Sequence, residues 1–156
     1  MEWFRRIEED KGFTAALSRV QRSERSIRVA GLGDGAKALA VAALAHSLGK
    51  RVAFVSLAGR DLEQLEGDVR FFFTSFAGDR ADEDDVLVLP PVEADPYSGT
   101  SPHAEILERR ALALWKLAQG GGRIVLMTAG SLLPRVVGSS LIRQSGVTLR
   151  SPPHSK

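Results

Sequence analysis

The sequence predicts an α/β protein in which a parallel sheet is flanked by helices on both faces. Three observations support this fold class. Short β-rich runs alternate with amphipathic helical stretches, and the connections between them are short. A glycine-rich turn lies between the first predicted strand and the first long helix, where P-loop domains bind phosphate. The 156 residues are enough for one domain with a buried core. Together, these observations predict a P-loop-derived sheet.

Two short helical stretches open the chain and are separated by Gly12. Their apolar residues recur at helical spacing. These residues are Trp3, Phe4 and Ile7 in the first stretch, and Phe13, Leu17 and Val20 in the second. We assign residues 1–25 to an N-terminal helical extension.

The first half of the predicted sheet follows this extension. Residues 27–32 form a short β-rich run, and residues 36–48 form a helix of small apolar residues that ends at Gly49. Residues 51–57 are almost continuously apolar, which is typical of a buried parallel strand. A helix over 60–76 carries one apolar face, which comprises Leu62, Leu65, Val69, Phe72, Phe73 and Phe76.

The second half begins with a third strand over 85–89, which Pro90 ends. The next helix has Ser101 as its predicted cap and Pro102 in its first turn. Glu105 and Arg109 are spaced to form an i,i+4 surface pair. The predicted buried stripe of this helix comprises Leu107, Ala111, Leu114, Trp115 and Ala118.

A fourth strand is predicted over 123–128, followed by a short helix and an extended run over 147–149. We assign residues 26–137 to one degenerate P-loop α/β domain. Residues 138–156 are expected to be the start of a second subdomain or a loose tail.

Charge is distributed unevenly along the chain. Residues 60–95 carry three arginines against eleven Asp or Glu, whereas residues 103–156 carry eight Lys or Arg against two Glu. This basic last third leaves weak DNA binding open as a function. The absence of cysteine excludes thiolate metal sites, and no run approaches the roughly 18 apolar residues of a membrane span. We expect a cytoplasmic protein with no membrane partner.

The glycine-rich turn, residues 31–38, is a degenerate phosphate-binding loop. A working P-loop reads Gly, four residues, then Gly-Lys-Ser/Thr, and here Ala36 replaces the second glycine. Ala38 replaces the hydroxyl that binds Mg²⁺, without which phosphoryl transfer loses its metal. Asp34 adds a charge that repels phosphate. The vestigial loop residues are Gly31, Gly33, Gly35 and Lys37.

We therefore expect no catalytic residues, no metal, no bound ATP and no enzyme activity in this chain alone. Residual nucleotide or anion binding stays open as an alternative because Lys37 is present. A dinucleotide site is disfavoured because the second predicted strand ends Ser56-Leu57, without the acidic residue that would bind a ribose.

A more specific pattern lies in residues 90–110, which read PPVEADPYSGTSPHAEILERR. This run resembles the W-E-x-x-P-Y-x-x-x-S-P-x-x-E-I-x-x-x-R pattern of the bacterial transcription-repair coupling factors (Mfd), with Val92 in place of the tryptophan. Residues 61–72 and 125–136 are also similar to that family, so the resemblance covers about 26–150. The matched residues are Glu93, Pro96, Tyr97, Ser101, Pro102, Glu105, Ile106 and Arg110.

The resemblance implies the N-terminal module of such a factor, its domain 1a, which is similar to the excision repair protein excinuclease B. The parent protein of that family is an ATP-driven DNA translocase that displaces RNA polymerase stalled at a lesion and recruits the excision repair protein excinuclease A. The module itself is implied to be a non-catalytic scaffold for nucleotide excision repair. Its implied partners are excinuclease A, RNA polymerase and DNA, each reached through the full-length parent.

Overall fold

Three parallel strands form a sheet in the part of the chain that the structure describes. A computed structural model describes residues 5–57, 60–92, 103–133 and 135–146. The strands are β1 (Val52–Ser56), β2 (Val86–Leu89) and β3 (Ile124–Thr128), in the spatial order β1-β3-β2. Each outer strand pairs with β3 in parallel, so that Val52 and Val86 both lie opposite Ile124. The strands are rich in β-branched and other apolar residues, which favour parallel sheets.

Six α-helices accompany the sheet in the described part of the chain. They are α1 (Arg5–Glu9), α2 (Lys11–Gln21), α3 (Asp34–Leu48), α4 (Arg60–Ala77), α5 (Ala104–Ala118) and α6 (Ser139–Ser145). None of the helices in the described ranges is long and apolar enough to cross a lipid bilayer. The class is therefore α/β, as the sequence predicts.

The helix ends agree with the sequence signals at one site and differ at another. Gly49 adopts a left-handed conformation (φ 60°) at the end of α3, as expected of a glycine C-cap. The boundary between α1 and α2 lies at Asp10, whereas Gly12 lies inside α2, so the predicted break is two residues too late. The cause is the Asp10 carboxylate, which accepts a hydrogen bond from the Phe13 N–H at 2.8 Å and caps α2.

Alternate residues of β3 enter two clusters of buried side chains. Ile124 and Leu126 belong to the larger cluster, which β3 shares with α3, α4 and β2. Val125 and Met127 belong to the smaller one, with Ala113 of α5. The buried α3 residues of the larger cluster are Ala38, Val41, Ala42 and Ala45. Their small side chains allow α3 to pack closely, as the sequence predicts.

Strand β1 is less buried than its apolar sequence predicts. Val52 and Phe54 are half-buried against the larger cluster, but Ala53 is exposed and Val55 is 50% exposed. Successive residues of a strand point to opposite faces of the sheet, and the face of β1 that carries Ala53 and Val55 is open to water, so only alternate residues are half-buried. The prediction of a fully buried strand over 51–57 is wrong.

The first predicted strand, residues 27–32, is not formed. Residues 26–30 have no regular secondary structure, and Val29 is 58% exposed. A strand requires a neighbour that supplies backbone hydrogen bonds, and β-propensity alone does not supply one. The four predicted strands are therefore three in the described residues.

The buried face of α5 is also rotated from the predicted stripe. Leu107 and Ala111 are exposed, whereas Arg110 and Ala113 are the buried residues of this helix. The remaining members of the predicted stripe, Leu114, Trp115 and Ala118, are half-buried. The rotation follows from hydrogen bonds of Arg110 that hydrophobicity does not indicate.

Candidate functional site

The glycine-rich turn is shorter than a phosphate-binding loop. Gly31 has a positive φ of 83°, and Gly33 is the N-cap of α3, which begins at Asp34. Gly35 and Lys37 therefore lie in the first turn of α3. This helix begins two residues before its predicted start at Ala36. The Lys37 backbone N–H donates to the Gly33 carbonyl at 2.9 Å. An N–H that a P-loop would offer to phosphate is already used inside the helix.

The Lys37 side chain is directed towards its own helix. Its Nζ donates to Asp34 Oδ1 at 2.8 Å, an i,i+3 ion pair at the start of α3. This hydrogen bond, and then the positive charge of Lys37, lower the pKa of the Asp34 carboxyl. The Asp34 carboxylate is therefore bonded to the Lys37 ammonium group, which in a working P-loop would contact a β- or γ-phosphate.

Position 38, where a P-loop has the metal-binding hydroxyl, faces the core. Ala38 is 0% exposed and is part of the larger cluster of buried residues. A hydroxyl at this position would point into packed side chains rather than towards a nucleotide. The substitution and the placement of this residue both remove the Mg²⁺ ligand.

A cavity of about 220 Å³ lies beside the start of α3, at the carboxyl end of β1. Its polar lining includes Ser56 of β1 and two carboxylates, Asp34 and Asp68, against the one ammonium group of Lys37. A phosphate group in this cavity would therefore meet a net negative lining, which opposes its binding.

Three of the eight residues of the family pattern lie in the described part of the chain. Glu93, Pro96, Tyr97, Ser101 and Pro102 lie outside the described residues, so the predicted Ser101 cap is not described either. Glu105 is exposed in the first turn of α5, where its charge favours the helix dipole. Ile106 is half-buried, and Arg110 is buried.

Arg110 is the most constrained of these residues. It is 6% exposed, and its guanidinium donates to the Pro90 carbonyl (2.8 Å) and the Ser131 carbonyl (2.9 Å). Burial lowers the pKa of this group. The two bonds join α5 to the segment after β2 and to the 3₁₀ turn after β3. Arg110 therefore holds the carboxyl ends of two neighbouring strands together.

Arg109 contacts α4 rather than Glu105. Its Nη2 donates to Glu66 Oε2 at 2.6 Å, while Arg70 donates to Glu66 Oε1 at 2.9 Å. The expected i,i+4 surface pair is therefore replaced by a link between α4 and α5. Spacing within one helix did not indicate this contact because Glu66 lies 43 positions earlier in the chain.

An apolar groove of about 760 Å³ lies between α5 and α6. Leu114 and Trp115 line one side, and Val137 and Ile142 line the other. The Trp115 Nε1 atom is buried without a hydrogen-bond partner in the described residues. These residues also contain no group of three His, Cys, Asp or Glu side chains that could hold a metal ion.

Comparisons with protein-family models, curated proteins and solved structures found no match to this chain. What the glycine-rich turn can do chemically therefore follows from its geometry alone. That geometry places a helix, an internal ion pair and a buried alanine where nucleotide hydrolysis requires an open loop, a free lysine and a hydroxyl.

Proposed function

We propose that this chain is a non-catalytic module of a transcription-coupled nucleotide excision repair factor. In this proposal it is a P-loop-derived sheet with helices on both faces, and it acts as a scaffold for bringing excision proteins to stalled RNA polymerase. Its partners are the excision repair protein excinuclease A, RNA polymerase and DNA, through a longer parent protein. The proposal combines the resemblance of residues 90–110 with the geometry of the glycine-rich turn.

The observation that carries the non-catalytic part is the early start of α3. Because the helix begins at Asp34, the Lys37 N–H bonds to Gly33 and the Lys37 ammonium bonds to Asp34. The buried Ala38 offers no metal ligand. Phosphoryl transfer depends on positioned charge and metal, and these three features remove both.

The scaffold part is supported by the role of Arg110. This residue belongs to the run that resembles the repair family, and its buried guanidinium is used for architecture rather than for a ligand. The two clusters of buried residues on alternate sides of β3 support helices on both faces of the sheet. The assignment to repair itself is supported by the sequence resemblance alone.

The nucleotide-binding alternative has weaker support. Lys37 is its one favourable residue, and this lysine bonds to Asp34. Asp68 lies in the same cavity and adds a second carboxylate. Among the described residues that line this cavity, two carboxylates oppose one ammonium group, which disfavours an anion.

Strand-specific repair after ultraviolet irradiation tests the proposal in cells. We expect that deleting the gene segment for this chain removes the faster repair of the transcribed strand. Complementation with Lys37→Ala should restore that difference, whereas Leu126→Asp, which places a carboxylate in the core, should not. Unchanged strand bias in the deletion strain would refute the repair role. Failure of Lys37→Ala to complement, in a variant that folds like the wild type, would favour the nucleotide-binding alternative.

A further inference from the structure

A row of arginines joins α2 to the glycine-rich turn. Arg19, Arg22, Arg25 and Arg28 recur at every third position, and all four are exposed. Glu24 is the one acidic residue between positions 19 and 28, so this short segment has a net charge of +3. It lies far along the chain from the basic last third.

One of the four arginines is neutralised locally. The Arg19 guanidinium contacts Glu24 Oε2 at 2.7 Å. This hydrogen bond lowers the pKa of Glu24 and raises that of Arg19. The side chains of Arg22, Arg25 and Arg28 make no ion pair or hydrogen bond with any residue that the structure describes. Three positive charges therefore remain available to a ligand.

The dipole of α2 accounts for only two of the four arginines. Arg19 and Arg22 lie at the C-terminal end of α2, where a positive charge stabilises the helix dipole. Arg25 and Arg28 lie beyond the helix, in residues without regular secondary structure. No capping or packing contact explains either of them in the described residues.

The nearest acidic cluster in the sequence does not cancel this charge. Glu8, Glu9 and Asp10 precede α2, which has 11 residues and is therefore about 16 Å long. This length exceeds the Debye length of about 8 Å at physiological ionic strength, so the acids are largely screened from the far end of the helix. The positive field around Arg22, Arg25 and Arg28 is therefore local, and within residues 19–28 it is opposed by the charge of Glu24 alone.

We propose that Arg22, Arg25 and Arg28 form a contact for the phosphate backbone of duplex DNA. Neighbouring arginines in this row are at most about 11 Å apart along the backbone, and each DNA strand presents one phosphate per ~3.4 Å of helix axis, so a duplex offers a separate phosphate to each of the three guanidinium groups. The planar fork of arginine matches phosphate oxygens. Residues 19–28 contain no aromatic side chain for stacking on single-stranded bases. Because the contact uses phosphates rather than base edges, it is independent of base sequence.

The number of arginines sets the expected salt dependence. Neutralising three phosphates gives a slope of about −2.7 for log K against log salt concentration, so raising NaCl from 50 to 200 mM lowers affinity about 40-fold. The contact is weak at physiological salt. It does not depend on the repair role proposed above, because it follows from the charges of residues 19–28 and not from the resemblance of residues 90–110.

Fluorescence anisotropy with a labelled 20-base-pair duplex tests the contact on the full chain. The variant R22Q/R25Q/R28Q should lose at least 10-fold in affinity at 50 mM NaCl, and its salt slope should fall towards zero. The matched control is K50Q/R80Q/R135Q, which removes the same charge from three exposed residues that make no ion pair in the described part of the chain. This control should keep the affinity and slope of the wild type.

Three outcomes would overturn the proposal. Absence of DNA binding by the wild type at 50 mM NaCl excludes the contact. An equal loss in the control variant means that net charge, rather than this row, attracts DNA. Binding to vesicles with anionic phosphatidylserine, but not to DNA, would assign the row to a membrane surface instead. Circular dichroism of both variants shows whether either substitution alters the fold.

Discussion

Replacing Arg110 by methionine tests whether a buried guanidinium holds this fold together. Methionine keeps an unbranched stem but cannot donate a hydrogen bond. The change therefore removes the bonds to the Pro90 and Ser131 carbonyls, at 2.8 and 2.9 Å, and leaves both acceptors without this donor. Contacts of the alkyl part of the side chain are largely retained.

The magnitude follows from two opposing terms. Hydrogen bonds from a charged group contribute about 1.5–3 kcal/mol each, so losing two of them costs about 3–6 kcal/mol. Removing a buried cation recovers part of this cost, because burial disfavours the charged form and lowers the pKa of Arg110. We expect a net destabilisation of about 2–4 kcal/mol, which lowers Tm by about 5–15 °C in a chain of this size.

The neighbouring residue supplies the control. Arg109→Met removes an ion pair with Glu66, but the Arg109 side chain is 47% exposed, so the expected cost is at most about 1 kcal/mol. Thermal unfolding followed by circular dichroism measures both variants, and urea unfolding checks that the m-value is unchanged. Equal melting temperatures for the two variants, or an Arg110→Met protein as stable as the wild type, would refute the reasoning.

Three further predictions concern the turn and the core. Neither the wild type nor the Ala38→Thr variant should hydrolyse Mg-ATP above background in a phosphate-release assay, because position 38 faces the core. Lys37→Ala should raise the pKa of Asp34 towards its ordinary value, as measured by carboxyl NMR titration. Since Lys37 lowers that pKa in the folded protein, the stabilisation from this pair is present at neutral pH and is lost in acid. Leu126→Ala should cost about 2–5 kcal/mol in urea unfolding, whereas Leu57→Ala, at a side chain 98% exposed, should change stability little.

Hydrophobic periodicity predicted the strands and the helix that are either almost fully buried or buried along one face. Strands β2 and β3 and helix α4 lie within two residues of their predicted bounds. In β3 every residue is buried, so its continuous apolar run matches a strand enclosed on both sides. In α4 the buried residues Leu62, Leu65, Val69 and Phe73 repeat every three to four positions, as expected of one helical face.

The incorrect expectations concern partners that are distant in sequence. The apolar run of β1 predicted complete burial, but one face of this strand is open to water, so alternate residues are exposed. The β-rich run at 27–32 has no pairing strand in the described residues. Neither outcome can be derived from local composition, because both depend on which other segments pack or pair with these residues in the folded chain.

The sequence by itself determined the α/β class, the most deeply buried strands and the absence at positions 36 and 38 of the glycine and the hydroxyl that a P-loop requires, since each depends on residue type and short spacing. The tertiary structure decided how the remaining charged groups are used. It paired Arg109 with Glu66 and buried Arg110 against two carbonyls. The physical reason is that a hydrogen bond or ion pair depends on distance in space, and segments tens of residues apart come within a few ångströms only when the chain folds.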